Sequence, residues 1–343
     1  MSFAALRRTL ATSAAIAAAF TVLTGCASDT GSSDGTIRFA LDWTPNTNHT
    51  GLYVALQEGY FEDAGLDVSI LPYNNTSPDT LVDAGNAEFG ISTQSQATFA
   101  RAAGAATTSV IAPLQHRATG IGVKADRADI TRPRDLDGKT YAGFGDPGEV
   151  ETLQQIIRND GGTGNFTTVT LGTSAYEAVY SGQADFTVSY FAWEGLEAER
   201  NGTPMRYFQY TDYGFPPDAY SIVINGNQQW LKDHPDEARK FVKAVQRGYQ
   251  TAADNPDQAA QDLIDANPGA FTDEDLVRES QRMLAADYMK DANGVVGAQN
   301  LETWSGYSGF LFENGLLAGP DGKPLTQKPD WSEYFTNEYL DAS

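Results

Sequence analysis

Apolar segments of two kinds alternate along this chain from residue 36 to about residue 224. Short runs rich in β-branched and aromatic residues, such as Thr36–Leu41 and Asp67–Leu71, are typical of β-strands. Longer segments, such as Gly51–Asp63, repeat apolar residues every three or four positions, as a half-buried helix does. This alternation predicts an α/β fold in which helices cover a mostly parallel sheet.

The alternating pattern occurs twice and is followed by a helical region. The first series ends near Pro113, and the second runs from Lys139 to about Tyr210. The helical segments that follow are Pro235–Asn255, Pro256–Ala266, Thr272–Asp287 and Gln299–Asn314. We expect two α/β units, with the aromatic residues of the C-terminal region packed against the first.

The connections between the two units indicate two lobes that share a cleft. Leu114–Val123 is an extended apolar stretch rather than a Pro/Ser-rich linker, and Ala219–Ile224 is strand-like. These two hinge crossings fit a chain that enters a second lobe and then returns. We expect residues 36–117 and 222–343 to form lobe 1 and residues 118–221 to form lobe 2, with a small-ligand site between them.

The N-terminal segment has the order of a secretory signal. Arg7 and Arg8 form a positive region, and the uncharged run Leu10–Leu23 follows. The tetrad Leu23–Cys26 resembles the bacterial lipobox, whose cysteine is lipidated and becomes the mature N-terminus. A membrane attachment through Cys26 is the interpretation that explains the whole pattern.

Two alternative interpretations of the N-terminal segment explain less of its pattern. A transmembrane anchor needs about 20 apolar residues, and the uncharged run is shorter than that. A buried core cysteine is common in proteins but leaves the positive region unexplained. We therefore expect residues 1–26 to be a lipoprotein signal with its lipidation site and residues 27–35 to be a flexible spacer. The domain that follows would be anchored at the extracytoplasmic face of the bacterial cell membrane.

The composition disfavours several classes of function. The formal net charge of −22 argues against nucleic acid and against direct adsorption to anionic lipid, both of which attract Lys and Arg. A single cysteine allows no disulfide within the chain, and with three scattered histidines it predicts no zinc site.

Six short motifs carry a resemblance to a known family. They are Leu41–Ala55, Gly59–Phe61, Gly65–Val68, Gly85–Gly90, Gly145–Gly148 and Tyr190–Gly195. Through them the chain resembles the NMT1/THI5-like family of type II periplasmic-binding proteins, and within it bacterial lipoproteins that feed ABC importers of thiamine pyrimidine precursors. The resemblance implies a two-lobed type II fold, a small aromatic ligand, an ABC permease as partner, a monomer and no cofactor. It leaves another solute open, because relatives bind sulfonates, nitrate or flavin-like compounds.

The same family contains an enzyme whose chemistry is not expected here. This eukaryotic relative makes the thiamine pyrimidine from pyridoxal phosphate and one of its own histidines. By the resemblance, its cofactor-binding lysine falls at Ser92, its histidine at Gln96, and its cysteine-rich segment after Tyr213, where this chain has no cysteine. We therefore predict a protein that is not an enzyme, with a synthase-type activity as the less favoured alternative.

Three segments that follow strands supply the main candidate ligand-binding residues, because ligands bind at the carboxyl ends of strands in open α/β sheets. In the first segment Asp42 precedes Trp43, whose flat face can stack on an aromatic ring. Asn46 and His49 can make in-plane hydrogen bonds. The alternative is that Trp43 is a core residue and that Asn46 only caps the next helix.

The second segment, Gly145–Glu149, links a strand to a helix. Backbone N–H groups at such a helix start attract anions, but the carboxylates of Asp146 and Glu149 would repel a phosphate. A neutral or cationic ligand group is therefore expected there, unless the loop is only a tight turn.

The third segment, Ser189–Gly195, places a carboxylate among aromatic residues. Glu194 can pair with an aminopyrimidine through two charge-assisted hydrogen bonds, while Tyr190 and Trp193 act as stacking walls. Glu194 also favours the N-terminus of the helix that begins near Gly195, and the two roles are compatible.

Weaker candidates lie elsewhere along the predicted cleft. Thr93, Gln94 and Gln96 follow the third strand of lobe 1 and offer uncharged hydrogen-bonding groups, whereas Tyr213 and Asp218 precede the return crossing. All these features together predict an extracytoplasmic solute-binding lipoprotein of an ABC importer. It would bind an aminopyrimidine thiamine precursor between its lobes and close around it by a hinge motion.

Overall fold

Two five-stranded sheets organise the chain. The structure is a computed structural model that describes residues 35–146, 148–216 and 219–341. The predicted signal, Cys26 and most of the spacer therefore lie outside the described residues, as does the candidate site residue Asp218. Thr36–Ser343 forms a single compact unit.

The first sheet combines four strands from the first third of the chain with one later strand. It contains β1 (Ile37–Ala40), β2 (Val68–Leu71), β3 (Phe89–Ser92), β4 (Thr107–Leu114) and β10 (Ile222–Asn227) in the order β2-β1-β3-β10-β4. The second sheet contains β5 (Thr119–Lys124), β6 (Thr140–Gly143), β7 (Thr167–Thr170), β8 (Phe186–Tyr190) and β9 (Met205–Phe208) in the order β7-β6-β8-β5-β9.

In each sheet four strands share one direction and one strand is reversed. The reversed strands are β10, which is antiparallel to β3 and β4, and β5, which is antiparallel to β8 and β9. Each sheet is therefore mixed but mostly parallel in strand direction. The predicted two-lobed α/β fold is confirmed.

Helices cover both sheets and fill the C-terminal region. They are α1 (Thr50–Gln57), α2 (Tyr60–Asp63), α3 (Pro78–Asp83), α4 (Gln94–Ala102), α5 (Glu149–Asn159), α6 (Ala175–Tyr180), α7 (Leu196–Arg200), α8 (Gln228–Asp233), α9 (Pro235–Asp254), α10 (Pro256–Ala266), α11 (Glu274–Asp287) and α12 (Leu301–Glu313). The predicted helix Gly51–Asp63 is broken at Gly59, whose φ of 71° is outside the helical range. None of the helices in the described ranges combines the length and apolar character needed to cross a lipid bilayer.

The two extended crossings are largely strands of the sheets themselves. Leu114–Val123 comprises the end of β4, a short connection and most of β5, whereas Ala219–Ile224 runs into β10. The apolar pattern of both stretches has a simple cause, because β5 and β10 each pair with a neighbour on both sides and are almost entirely buried. Such a strand shows a continuous apolar run rather than alternation.

The C-terminal aromatic residues do more than pack against lobe 1. Trp304 and Tyr307 of α12 belong to a buried cluster that includes Phe99 of α4 and also Tyr141 and Phe186 of the second sheet. The expected packing against lobe 1 is present, since Thr98 of α4 is hydrogen-bonded to Ser308 of α12, and the rings of Tyr307 and Phe310 also contact Phe215, which follows the last strand of the second sheet. This position brings Tyr307 to the wall of the cavity described below.

Helices α1 and α9 approach each other closely through two glycines. A Cβ atom on Gly248 would overlap the carbonyl oxygen of Gly51, and a Cβ atom on Gly51 would overlap the ring of Tyr249. The Tyr249 hydroxyl donates a hydrogen bond of 2.7 Å to the carbonyl oxygen of Asn48. The close approach therefore anchors the turn that carries Trp43.

We expect Gly248→Ala to lower the free energy of unfolding by about 1–3 kcal/mol, because the added methyl group must displace backbone atoms. Gly306→Ala is the matched control, since Gly306 is also helical and a Cβ atom there would meet open space. That control should leave stability unchanged or raise it by up to about 1 kcal/mol. Urea denaturation followed by circular dichroism measures both, and equal effects would contradict the proposed role of the α1–α9 contact.

Candidate functional site

A cavity of about 320 Å³ lies where loops that follow strands of both sheets meet. Ten of the predicted site residues line it: Asp42, Trp43, Asn46, Thr93, Gln96, Asp146, Glu149, Tyr190, Trp193 and Glu194. Because they come from both sheets, the cavity is an interlobe site of the kind that binds small molecules. Ligand contact by these residues stays a prediction.

Trp43 belongs to an aromatic wall with members from both sheets. Its ring centroid lies 5.6 Å from that of Tyr73, 5.9 Å from that of Phe144 and 6.4 Å from that of Tyr176. Trp43 is half-buried and reaches the cavity, so it is not simply a core residue. Edge-to-face contacts with Phe144 and Tyr176 leave the cavity with aromatic surfaces on which a flat ring can stack.

The turn after β1 holds Asp42 in place through a buried histidine. His49 accepts a hydrogen bond at Nδ1 from the backbone N–H of Asn46 (3.3 Å), so Nε2 of the neutral ring carries the proton and donates to Asp42 Oδ1 at 2.8 Å. His49 is fully buried and does not line the cavity. The expectation that it contacts the ligand is therefore not supported, because both ring nitrogens are already engaged.

Asn46 combines the two roles considered for it. Its side chain accepts a hydrogen bond of 2.9 Å from the backbone N–H of Asn48 and so caps the short helical turn Thr47–His49. It also lines the cavity. Thr93 behaves in the same way, because its hydroxyl accepts from the backbone N–H of Gln96 at the start of α4.

The loop before α5 is held by Glu149. Its carboxylate accepts hydrogen bonds from the backbone N–H groups of Phe144 (3.1 Å) and Gly145 (2.9 Å) and from the hydroxyl of Tyr141 (3.2 Å). Both carboxylate oxygens are therefore engaged within the protein. Glu149 shapes this edge of the cavity and supplies negative charge there.

Asp146 is the more available acid of this loop. Part of Asp146 is exposed and lines the cavity. Its carboxyl group is nevertheless partly desolvated by the protein around it. This burial, with the negative charges of Glu149 and Asp42, raises the pKa of Asp146 to about 6. The polar side chain of Gln96 opposes this rise in the pKa.

Glu194 lies in a π-helical turn, Phe191–Gly195, between β8 and α7. Such turns are frequent at functional sites. Its carboxyl group is almost fully buried, and Oε2 accepts a hydrogen bond of 3.2 Å from the backbone N–H of Tyr190. Burial raises the pKa of Glu194 to about 8, and the carboxylate of Glu197 adds to the shift. The group is therefore largely a neutral carboxylic acid at pH 7.

Two further predicted residues do not reach the cavity. Gln94 is buried, and its amide joins α4 to the carbonyl oxygen of Thr303 (3.1 Å) and to the backbone N–H of Tyr220 (2.9 Å). The ring of Tyr213 packs 6.5 Å from that of Phe208 on the second sheet. Both side chains point away from the cavity because their elements pack against other parts of the fold.

The cavity residues that were not predicted from the sequence include Tyr73, Arg117, Tyr176 and Tyr307. Tyr73 and Tyr176 follow strands β2 and β7 closely, so the strand-end rule could have found them. Arg117 lies in the connection from β4 to β5, and its charge within an apolar stretch was a usable signal. The sequence held no comparable signal for Tyr307, because only the packing of α12 brings this residue to the cavity. Within the described ranges no cluster of His, Cys, Asp and Glu could hold a metal ion.

The chain is similar to a binding protein and to enzymes whose names refer to related pyrimidines. The family model described as "NMT1/THI5 like" matches residues 46–259. The "Formylaminopyrimidine-binding protein" of Halalkalibacterium halodurans is 30% identical over 307 residues, which cover 87% of this chain and 92% of that protein. The Saccharomyces cerevisiae "4-amino-5-hydroxymethyl-2-methylpyrimidine phosphate synthase THI13" is 25% identical over 318 residues, which cover 89% of this chain and 87% of the yeast protein.

Solved structures show the same architecture. The "Ligand Binding Component of ABC-type Import System" from Staphylococcus aureus superposes with a TM-score of 0.66 and covers 89% of this chain and 97% of its own. Its sequence identity is 13%, so this likeness shows the fold alone.

The raised pKa of Glu194 predicts a pH-dependent stability. The folded protein keeps a proton on Glu194 up to about pH 8, whereas the unfolded chain releases it near its ordinary pKa of 4.5. The stability that comes from this proton is fully present below pH 4.5 and is lost as the pH rises to about 8. Between pH 5 and pH 9, the stability of Glu194→Gln relative to wild type should therefore rise by on the order of a few kcal/mol.

Urea denaturation at both pH values measures this difference. Glu151→Gln on the exposed face of α5 is the control and should show the same small effect at pH 5 and pH 9. A Glu194→Gln effect that does not change with pH would show that Glu194 is ionised in the folded protein.

Proposed function

The chain belongs to the NMT1/THI5-like family, and on that premise we propose that it is an extracytoplasmic solute-binding protein that holds an aminopyrimidine in its interlobe cavity. Residues 36–117 with 222–343 act as one lobe, and residues 118–221 act as the other. The cavity contributes a flat aromatic wall and a buried carboxyl group. The proposed ligand is a substituted aminopyrimidine that serves as a thiamine precursor.

The single observation that carries this proposal is the buried carboxyl group of Glu194 on the cavity wall. A neutral carboxylic acid offers one O–H donor and one carbonyl acceptor in the same plane. An aminopyrimidine offers the complement, since a ring nitrogen accepts and the adjacent exocyclic amine donates. Two such hydrogen bonds fix both the position and the orientation of the ring.

The size and charge of the cavity favour this ligand class over the two alternative solutes. About 320 Å³ lies at the lower end of the range for small-molecule pockets, which suits one ring with short substituents better than a three-ring flavin. Asp42, Asp146, Glu149 and Glu194 all line the cavity. With Glu194 largely neutral, the other three acidic groups still outnumber Arg117, so the cavity disfavours a ligand that is only an anion, such as an alkanesulfonate or nitrate.

We propose that no bond is made or broken in this site. The resemblance assigns the lysine and histidine of the synthases to Ser92 and Gln96, which can form neither a Schiff base nor an imidazole donor. Ser92 donates a hydrogen bond of 2.7 Å to the buried carboxyl group of Asp79 and supports the sheet instead. The similarity to a protein named for the binding of formylaminopyrimidine agrees with this interpretation.

Hinge closure is the proposed mechanism, and two contacts between the lobes support it. Arg200 of α7 makes a bidentate ion pair with Asp273, with N···O distances of 2.7 and 2.9 Å. Nearby, the rings of Trp193 and Phe271 meet at 6.1 Å. Closure would present the surface that an ABC permease recognises. The protein acts as a monomer, tethered to the membrane through Cys26.

Calorimetric titration of residues 27–343 tests the ligand class. We expect tight binding of the formylaminopyrimidine or the hydroxymethylpyrimidine, and weak or no binding of thiamine, riboflavin and taurine. No pyrimidine should form, and no pyridoxal phosphate should be consumed, when the protein is incubated with pyridoxal phosphate. Tight binding of riboflavin or taurine, or measurable turnover, would contradict the proposal.

Two variants of one residue test the role of Glu194. Glu194→Gln keeps a donor and an acceptor and should bind the pyrimidine almost as well as wild type, whereas Glu194→Met should bind roughly 10- to 100-fold more weakly. Glu177→Gln, on the exposed face of α6, is the control. An equal loss in both Glu194 variants would mean that the ionised carboxylate binds the ligand.

A further inference from the structure

Arg117 is a cavity residue whose guanidinium group is left partly without hydrogen-bonding partners by the described residues. It lies in the connection between β4 and β5, and its guanidinium group packs against two rings, 5.0 Å from the centroid of Tyr210 and 4.7 Å from that of Tyr307. Its Nε and Nη2 atoms are buried and make no hydrogen bond with any part of the chain that the structure describes. It nevertheless lines the cavity, beside four acidic residues that it does not pair with.

A guanidinium group in this state is costly unless something binds it. It carries five N–H donors, and a buried donor without an acceptor loses its hydration without replacement. The faces of two tyrosine rings offset part of that cost by cation–π attraction but accept none of the in-plane hydrogen bonds. Arg101 also packs over a tyrosine ring, and its Nε likewise has no acceptor among the described residues, but its two terminal nitrogens donate to the carbonyl oxygens of Ala105 and Glu333.

The strand pairing places Arg117 near Glu194, at the same end of the second sheet. Thr119 of β5 is paired with Tyr190 of β8, and the carbonyl oxygen of Ala118 accepts a hydrogen bond of 2.8 Å from the backbone N–H of Phe191. Arg117 therefore enters the cavity beside the turn that carries Glu194. The two side chains form no ion pair, so a bound molecule can engage both.

We propose that Arg117 binds an oxygen acceptor on the ligand, so that the site selects aminopyrimidines that carry a carbonyl or carboxylate oxygen. This inference rests on the proposed function and adds a second recognition group to it. Glu194 engages the amidine edge of the ring, and the planar guanidinium fork of Arg117 engages the oxygen of the ring substituent. A pyrimidine without such an oxygen leaves Arg117 unsatisfied and binds more weakly.

The test compares two neutral ligands that differ only in the substituent. One is the formylaminopyrimidine, which has a formamide carbonyl group, and the other is 4-amino-2,5-dimethylpyrimidine, which has none. Calorimetry on wild type should show roughly a 10- to 100-fold preference for the formylated ligand. Arg117→Met should abolish that preference while it changes the affinity for the dimethyl compound little. Arg117→Lys, which keeps the charge but not the planar fork, should retain only part of it.

Arg101→Met is the matched control, because it removes a guanidinium group from a tyrosine face outside the cavity and should preserve the preference. Equal weakening of both ligands in Arg117→Met would overturn the inference and assign Arg117 a purely structural role. Wild type that binds both ligands equally would also overturn it but leave the proposed function standing. Wild type that binds neither ligand would overturn both.

Discussion

The insertion of β10 between β3 and β4 is the constraint on which the rest of the structure depends. Because β10 comes from the far side of the second sheet in sequence, the chain must leave the first sheet once and return once. The two crossings are joined directly, since the backbone N–H of Ala118 donates to the hydroxyl of Ser221 at 2.6 Å. Buried Asp79 accepts from Ser92 on β3 and from Asn225 on β10, which fixes the inserted strand in place.

Charge in the cavity is arranged by hydrogen bonding rather than by ion pairs. Glu149 is engaged by backbone N–H groups, Asp42 by buried His49, and Glu194 by burial that favours its neutral form. Arg117 is held by aromatic faces. Charges of opposite sign therefore line one small cavity without forming ion pairs. The cavity can still offer both donors and acceptors of hydrogen bonds to a ligand.

The fold and ten of the thirty residues that line the cavity could be predicted from the sequence, for a physical reason. Trp43, Asp146 and Glu194 follow strands directly, and the sheet topology carries strand ends to the cleft whatever else packs around them. Which side of a turn or helix faces the cleft is decided by tertiary packing instead. His49 follows β1 and Gln94 follows β3, but both side chains point into the protein, where they form buried hydrogen bonds.

The wall of the cavity draws on residues as far apart in the chain as Asp42 and Tyr307. Contacts between residues so far apart in the chain raise the contact order of the fold. Folding is slower in such folds, because long loops must close, at a cost in entropy, before the stabilising contacts can form. Tyr307 of α12 supplies one of the two ring faces against which Arg117 rests. The cavity is therefore complete only when all these segments are in place, so that ligand affinity reports on the integrity of the whole fold and not on either lobe alone.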